Sequence, residues 1–131
     1  MTKATSSSWQ YKPMEKPSSA TWQGDISARD LAKLVDGVIP RAMEDKWFIY
    51  ADAADGQGRV AIHFCRSWTG AEVVLLNIVV SLDAAGSVDM DAPARVSGVT
   101  WESRGQDETE AKLLVRDLCS DLLGCDFARQ L

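Results

Sequence analysis

The chain has 131 residues, 46% of them apolar, with 14 lysines and arginines against 19 aspartates and glutamates. A single domain of this length buries roughly 68% of the surface its unfolded form exposes, so it needs no disulfide or metal staple. The net charge of −5 argues against a general DNA or anionic-membrane binder, because such binding rests on clustered cations. Cys65, Cys119 and Cys125 are an odd set that cannot all pair within the chain, and a lone His63 leaves metal sites and His-based triads poorly supplied.

The first residues lack the apolar core of a signal peptide. The longest apolar stretch, 73–80, is interrupted by Asn77 and is too short to span a bilayer. With free thiols, these features predict a cytoplasmic protein without a membrane segment. Delivery by a route that reads no N-terminal signal stays open.

Composition divides the chain once, near Gly24. Residues 1–24 are rich in serine and threonine and carry Pro13 and Pro17, the makeup of a flexible N-terminal arm. Trp9, Tyr11 and Trp22 are unusual in a linker. Either Trp22 alone packs on the body, or Trp9 and Tyr11 form a strip that orders on a partner. The arm holds three lysines against one glutamate, which leaves 11 cations, 18 carboxylates and a net −7 on residues 25–131, the single α+β domain.

Along that domain, Ser27 reads as a helix N-cap with Asp30 in the capping-box position, and Leu31, Leu34, Val35 and Val38 follow at helical spacing until Gly37 and Pro40. A short turn is expected at 41–45. The WFIY stretch at 47–50 begins a strand, and Gly56 and Gly58 mark a hairpin turn. Residues 59–65 alternate, with Val60, Ile62 and Phe64 on one face and Ala61, His63 and Cys65 on the other. Residues 71–82 form the strongest strand, apolar on both faces, as a central or doubly covered strand is. After a turn at 83–86 and a polar link, 94–101 reads as a fourth strand with Gly98 at a bulge or close approach. The final helix starts at Asp107 with Glu110 in the box position. Its apolar stripe is Ala111, Leu114, Val115, Leu118 and Leu122, and Gly124 stands where a terminating glycine belongs.

Helix, strands, then helix predicts an α+β fold: an antiparallel four- to five-stranded sheet with the N-terminal and C-terminal helices packed on it. Because 71–82 is apolar on both sides, either the helices cover opposite faces or one face is a dimer interface.

His63, Cys65, Arg66 and Ser67 are the one local cluster of reactive types. Side chains two apart on a strand point outward in parallel, so Cys65 is read as a buried, inert thiol and His63 as a paired sheet residue. Residues 66–70 (RSWTG) are more informative. Gly70 suits a turn, and adjacent Arg66 and Trp68 are of the types that dominate binding hot spots. The alternative is that Trp68 folds over the sheet edge while Arg66 pairs with an acid on the last helix. Trp101, Ser103 and Arg104 stand between the fourth strand and the last helix. At the same sheet end they would join Arg66 and Ser67 in a pocket for a planar or phosphorylated ligand. The aspartates and glutamates are scattered and read as solvated surface, which also disfavours nucleic-acid mimicry. No phosphate-binding glycine loop, CxxC, HExxH or GxSxG is present.

The KWFIY stretch, the HFCRSWTG segment at 63–70, the VTWESR link at 99–104 and the LL…LLG end of the last helix resemble a family of small uncharacterised bacterial proteins. Their pattern is KWFIY, a hairpin, an FHRSWTG-like segment, a strand and an LLG helix, matching residues 40–124 here. The chain departs by placing Cys65 before Arg66. The resemblance implies that Arg66, Trp68, Thr69 and Gly70 matter, and that such domains occur alone or beside ADP-ribose-processing modules.

The expected function is non-enzymatic, without a cofactor: a small acidic cytoplasmic module that binds another protein, of the inhibitor or immunity type. Its contact residues are Arg66, Ser67, Trp68, Thr69, Gly70, Trp101 and Arg104. The alternative is a nucleotide or ADP-ribose ligand module, with enzymatic activity as its extension.

Overall fold

The computed structural model describes residues 3–127; residues 1, 2 and 128–131, the outer ends of the expected arm and domain, lie outside the described residues. The elements are β1 (Pro17–Ile26), α1 (Ala28–Asp36), β2 (Trp47–Ala51), β3 (Arg59–Arg66), β4 (Glu72–Val79), β5 (Ala94–Glu102) and α2 (Glu108–Asp121). The strands form one antiparallel sheet in the order β1-β5-β4-β3-β2. From β2 to β5 each strand pairs with its neighbour in sequence, and β1 closes onto the far side of β5. The α+β fold with an antiparallel sheet and one helix from each end of the chain is therefore present.

Residues 17–24, which composition places in the arm, are instead most of an edge strand, paired from Pro17 opposite Glu102 to Ile26 opposite Ala94. Proline at the first position and small polar side chains along the strand suit an edge with one wet face. The sheet domain thus begins at Pro17. Across the sheet, Asp55 organises the β2–β3 hairpin by accepting the Gln57 and Arg59 N–H groups. Near Gly98 the β4–β5 register slips, Asn77 facing Gly98 while Ile78 faces Val96.

Ser27 caps α1 by accepting the Asp30 N–H, but the Asp30 carboxylate does not complete a box. It is buried and accepts the N–H groups of Asp126 and Phe127 at 3.0 and 2.9 Å, tying the chain beyond α2 to the start of α1. At α2 the Asp107–Glu110 box is complete. The buried face of α2 is Ala111, Val115, Leu118 and Cys119. Leu122, expected in that stripe, is half exposed because the helix ends at Asp121 and Gly124, at φ +67°, turns the chain away.

Both helices lie on the same face of the sheet, α1 against β2 and α2 against β4 and β5. The main core is the layer between them, where Leu31, Leu34 and Val115 meet Ile62, Leu76 and Val99. The two helices therefore do not account for the apolar second face of β4. That face is partly covered by the chain's own residues 3–16. Ala4 and Tyr11 join Phe48, Tyr50 and Cys65 in a second apolar cluster, and Leu75 and Val79 of β4 are half-buried. The Ala4 N–H bonds Asp36 O, the Lys12 N–H bonds Gly70 O, and the Glu72 N–H bonds Lys12 O.

Candidate functional site

The β3–β4 connection carries the RSWTG element and is fixed from two sides. Within it, the Arg66 N–H bonds Ala71 O and the Gly70 N–H bonds Arg66 O at 2.7 Å. Gly70 sits at φ +75°, and a Cβ there would meet Gln10 O at 2.7 Å, so conformation and space both demand glycine. Ser67 is buried; its Oγ donates to Asp45 O at 2.6 Å and its N–H to Lys46 O. From the other side, Trp9 Nε1 donates to Ser67 O at 2.6 Å, and Gln10 Nε2 donates to the carbonyls of Ser67 and Trp68. Thr69 is exposed, its Oγ1 accepting the Ala71 N–H.

This backbone scaffold holds Trp68 out in solvent. Trp68 is 70% exposed, and its indole N–H donates to Met43 O at 2.9 Å. Met43 itself is 78% exposed. Arg66, opposite Trp47 across the β2–β3 ladder, lays its guanidinium 4.5 Å from the centre of the Trp47 ring. Among the described residues no acid of α2 pairs with it. Lys46, Arg66, Trp68 and Thr69 line a cavity of about 400 Å³. An adjoining groove of about 700 Å³ runs from Lys46 past Glu44 and Trp47 to Leu122.

The remaining predicted site residues do not all converge here. Trp101 is buried in the main core on the helix side of the sheet, so it cannot stack with Trp68 around a ligand. Arg104 is ion-paired with Glu15. Arg66 and Arg104 do line one cavity of about 590 Å³ at this end of the sheet, together with Lys12, Glu15, Glu72, Glu102 and Glu110. Three cations among four carboxylates leave little net attraction for a phosphate.

Under the arm lies a cluster the sequence reading did not assemble. His63 Nδ1 lies 2.5 Å from Glu72 Oε2, and Nε2 lies 2.8 Å from Asp52 Oδ2. The His63 and Glu72 side chains are buried, whereas Asp52 is half exposed. Tyr50 stacks on the imidazole at 4.3 Å with 5° between planes, and Tyr11 of the arm meets both rings edge-on at 5.8 Å. Burial alone would lower the His63 pKa, but hydrogen bonds to Glu72 and Asp52 and their charges outweigh it and raise it. Two carboxylates on the two ring nitrogens favour the charged imidazolium, and with both nitrogens engaged neither is open to take a proton from a substrate. Burial also pushes the Tyr11 and Tyr50 hydroxyls up, reinforced at Tyr11 by a hydrogen bond to Glu72 and at Tyr50 by the charge of Tyr11. Cys65 is fully buried, its thiol pushed up to about 12 by burial and by Glu72, so it is no nucleophile in this arrangement.

Among the described residues no group of three or more His, Cys, Asp or Glu side chains is placed to hold a metal ion, and no helix is long and apolar enough to cross a membrane. Comparison with protein-family models, with curated proteins and with solved structures finds no match for the chain.

Proposed function

We propose that the protein is a cytoplasmic protein-binding module, of the inhibitor or immunity type, whose contact surface is centred on Trp68. One observation carries the reading: Trp68, more than two-thirds exposed, is tied by its indole N–H to the backbone carbonyl of Met43, itself a large apolar residue more than two-thirds exposed. A tryptophan exposed to this degree buries little for its own fold. Held rigidly, it loses little side-chain entropy when a partner covers it, which favours a binding hot spot.

A nucleotide or ADP-ribose reading has less support. Its two-tryptophan stack is absent, since Trp101 belongs to the core, and Arg104 is already paired with Glu15. The test is a pull-down from host lysate with the tagged protein beside its Trp68→Ala variant, read by mass spectrometry. A partner kept by the wild type and lost by the still-folded variant supports the module. Equal recovery by both removes Trp68 from the contact surface. A thermal shift of about 2.7 kcal/mol with ADP-ribose or a mononucleotide at a hundred times its dissociation constant would favour the small-ligand reading instead.

A further inference from the structure

The surface around Trp68 also carries information about what covers it. The cavity of about 400 Å³ beside the indole is lined by Lys46, Arg66, Trp68 and Thr69, two cations and no carboxylate. Neither cation is ion-paired among the described residues, and nor is the nearby Arg41. The closest acids in sequence do not neutralise them. Asp45 turns its carboxylate onto the Arg41 and Ala42 N–H groups at 2.9 and 3.2 Å, and Glu44 lines the adjoining groove but not this cavity. None of the four glutamates that share the cavity of about 590 Å³ with Arg66 is ion-paired with it. A cationic opening on a chain of net charge −5 therefore sits directly against its most exposed aromatic residue.

The geometry favours a carboxylate. Arg66 rests its guanidinium carbon 4.5 Å from the centre of the Trp47 ring and makes no ion pair among the described residues, so its N–H groups stay available for a two-pronged bond. The Trp68 indole N–H is occupied by Met43 O, so what the ring offers a partner is apolar surface. Apolar area flanked by unpaired cations is complementary to an apolar side chain flanked by acids.

We propose that the segment seated on this face is an acidic stretch of a partner protein, which lays one aromatic or aliphatic side chain against Trp68 and Met43 and a carboxylate onto Arg66 and Lys46. This rests on the protein-binding reading above and goes one step further, to the chemistry of the partner. The overall negative charge of the chain gives such a partner no long-range attraction, so the local pairs set register and selectivity rather than encounter rate.

The test uses random twelve-residue peptides displayed on phage, selected in parallel on the full chain, on Trp68→Ala and on the double variant Lys46→Glu/Arg66→Glu. All three are checked for a wild-type thermal transition. The expected pool on the wild type is enriched in Asp and Glu around one aromatic or leucine. Its members should bind Trp68→Ala about thirtyfold more weakly, and the charge-reversed variant should select Lys and Arg in place of the acids. A neutral or basic wild-type pool, or the same acidic pool on the charge-reversed variant, overturns the acidic partner while leaving the Trp68 contact intact. No Trp68-dependent enrichment overturns the protein-binding reading and the proposal with it. Displacement of the selected phage by millimolar pyrophosphate or ADP-ribose, with a matching thermal shift, would reassign the cavity to a phosphate ligand and overturn the proposal on that ground.

Discussion

Replacing His63 by alanine tests how the second face of the sheet is held together. The variant leaves the buried Glu72 carboxylate facing Tyr11 and Tyr50 without its cation. Removing one partner of a buried ion pair costs about 3–5 kcal/mol. Loss of the stack on Tyr50 adds about 0.5–1.5 kcal/mol. Asp52, half exposed, returns to water and contributes little. Against a total stability of roughly 5–15 kcal/mol this is a large fraction, and it corresponds to a fall in melting temperature of roughly 10–20 °C. Substituting both partners, His63→Phe with Glu72→Met, leaves no uncompensated charge and is expected to recover most of the loss.

The same residue sets a pH signature. The His63 pKa is higher folded than unfolded, so its contribution is fully present below about pH 6.5 and is lost as the pH rises through the folded value. Between about pH 6.5 and 7.5, below the range in which the unfolded thiols titrate, the wild type should lose up to about 1.4 kcal/mol per pH unit and the alanine variant should not. Thermal denaturation followed by circular dichroism, at half-unit steps, measures both effects. Amide exchange at Ala4 and Lys12 reports the arm directly, since their N–H groups bond Asp36 O and Gly70 O. A variant within about 1 kcal/mol of wild type at pH 6, or two parallel stability profiles, would refute the assignment of His63 as a buried imidazolium.

Three further outcomes follow from burial and backbone geometry. Trp68→Ala should shift stability by less than about 0.5 kcal/mol, whereas Trp101→Ala, which empties a core position, should cost about 3–5 kcal/mol; chemical denaturation of the two variants side by side distinguishes them. Gly70→Ala puts a Cβ into Gln10 O at a left-handed φ and should cost about 1–3 kcal/mol while raising amide exchange at Lys12. At pH 8 none of the three cysteines should react with a thiol reagent in the folded protein and all three should react in denaturant, because burial pushes Cys65 and Cys125 up to about 12 and holds Cys119 well above its ordinary value.

Elements with a strong apolar period were legible in the sequence, because their burial pattern is local: the 59–65 alternation, the 71–82 run and both capped helices. β1 was not. Its half-buried positions include Ser18, Ala20 and Gly24, too small to write an apolar alternation, and its pairing with β5 spans the length of the domain. Trp101 illustrates a different limit. Its position at the end of a strand suggested a loop, but β5 runs through to Glu102 and period two turns the indole into the core. The His63 cluster draws His63 from β3, Glu72 from β4, Tyr50 from β2 and Asp52 from just beyond it, with Tyr11 from the arm. The register slip between Phe64 and Cys65 makes Cys65 face Glu72 rather than Val73, which puts the Glu72 carboxylate on the His63 side of the sheet. The available signal was Glu72 itself, a lone acid heading a mostly apolar strand.

The arm and the RSWTG connection, two separate candidates in the sequence, form one construction in the fold. Tyr11 is wedged against Tyr50 and His63 while its neighbours Trp9 and Gln10 bond the carbonyls of Ser67 and Trp68, and Lys12 bonds Gly70. The buried imidazolium is thus the anchor of the segment that holds the exposed indole in place. An isolated five-residue connection leaves a tryptophan side chain free among rotamers, and a partner must restrict it on binding. Here folding has already met that cost, and the aromatic strip of the arm serves the protein's own loop. Loosening the arm at His63 should therefore weaken binding at Trp68, a site its side chain never touches. The effect should exceed what Arg104→Ala produces, because Arg104 reaches the arm only through an exposed pair with Glu15.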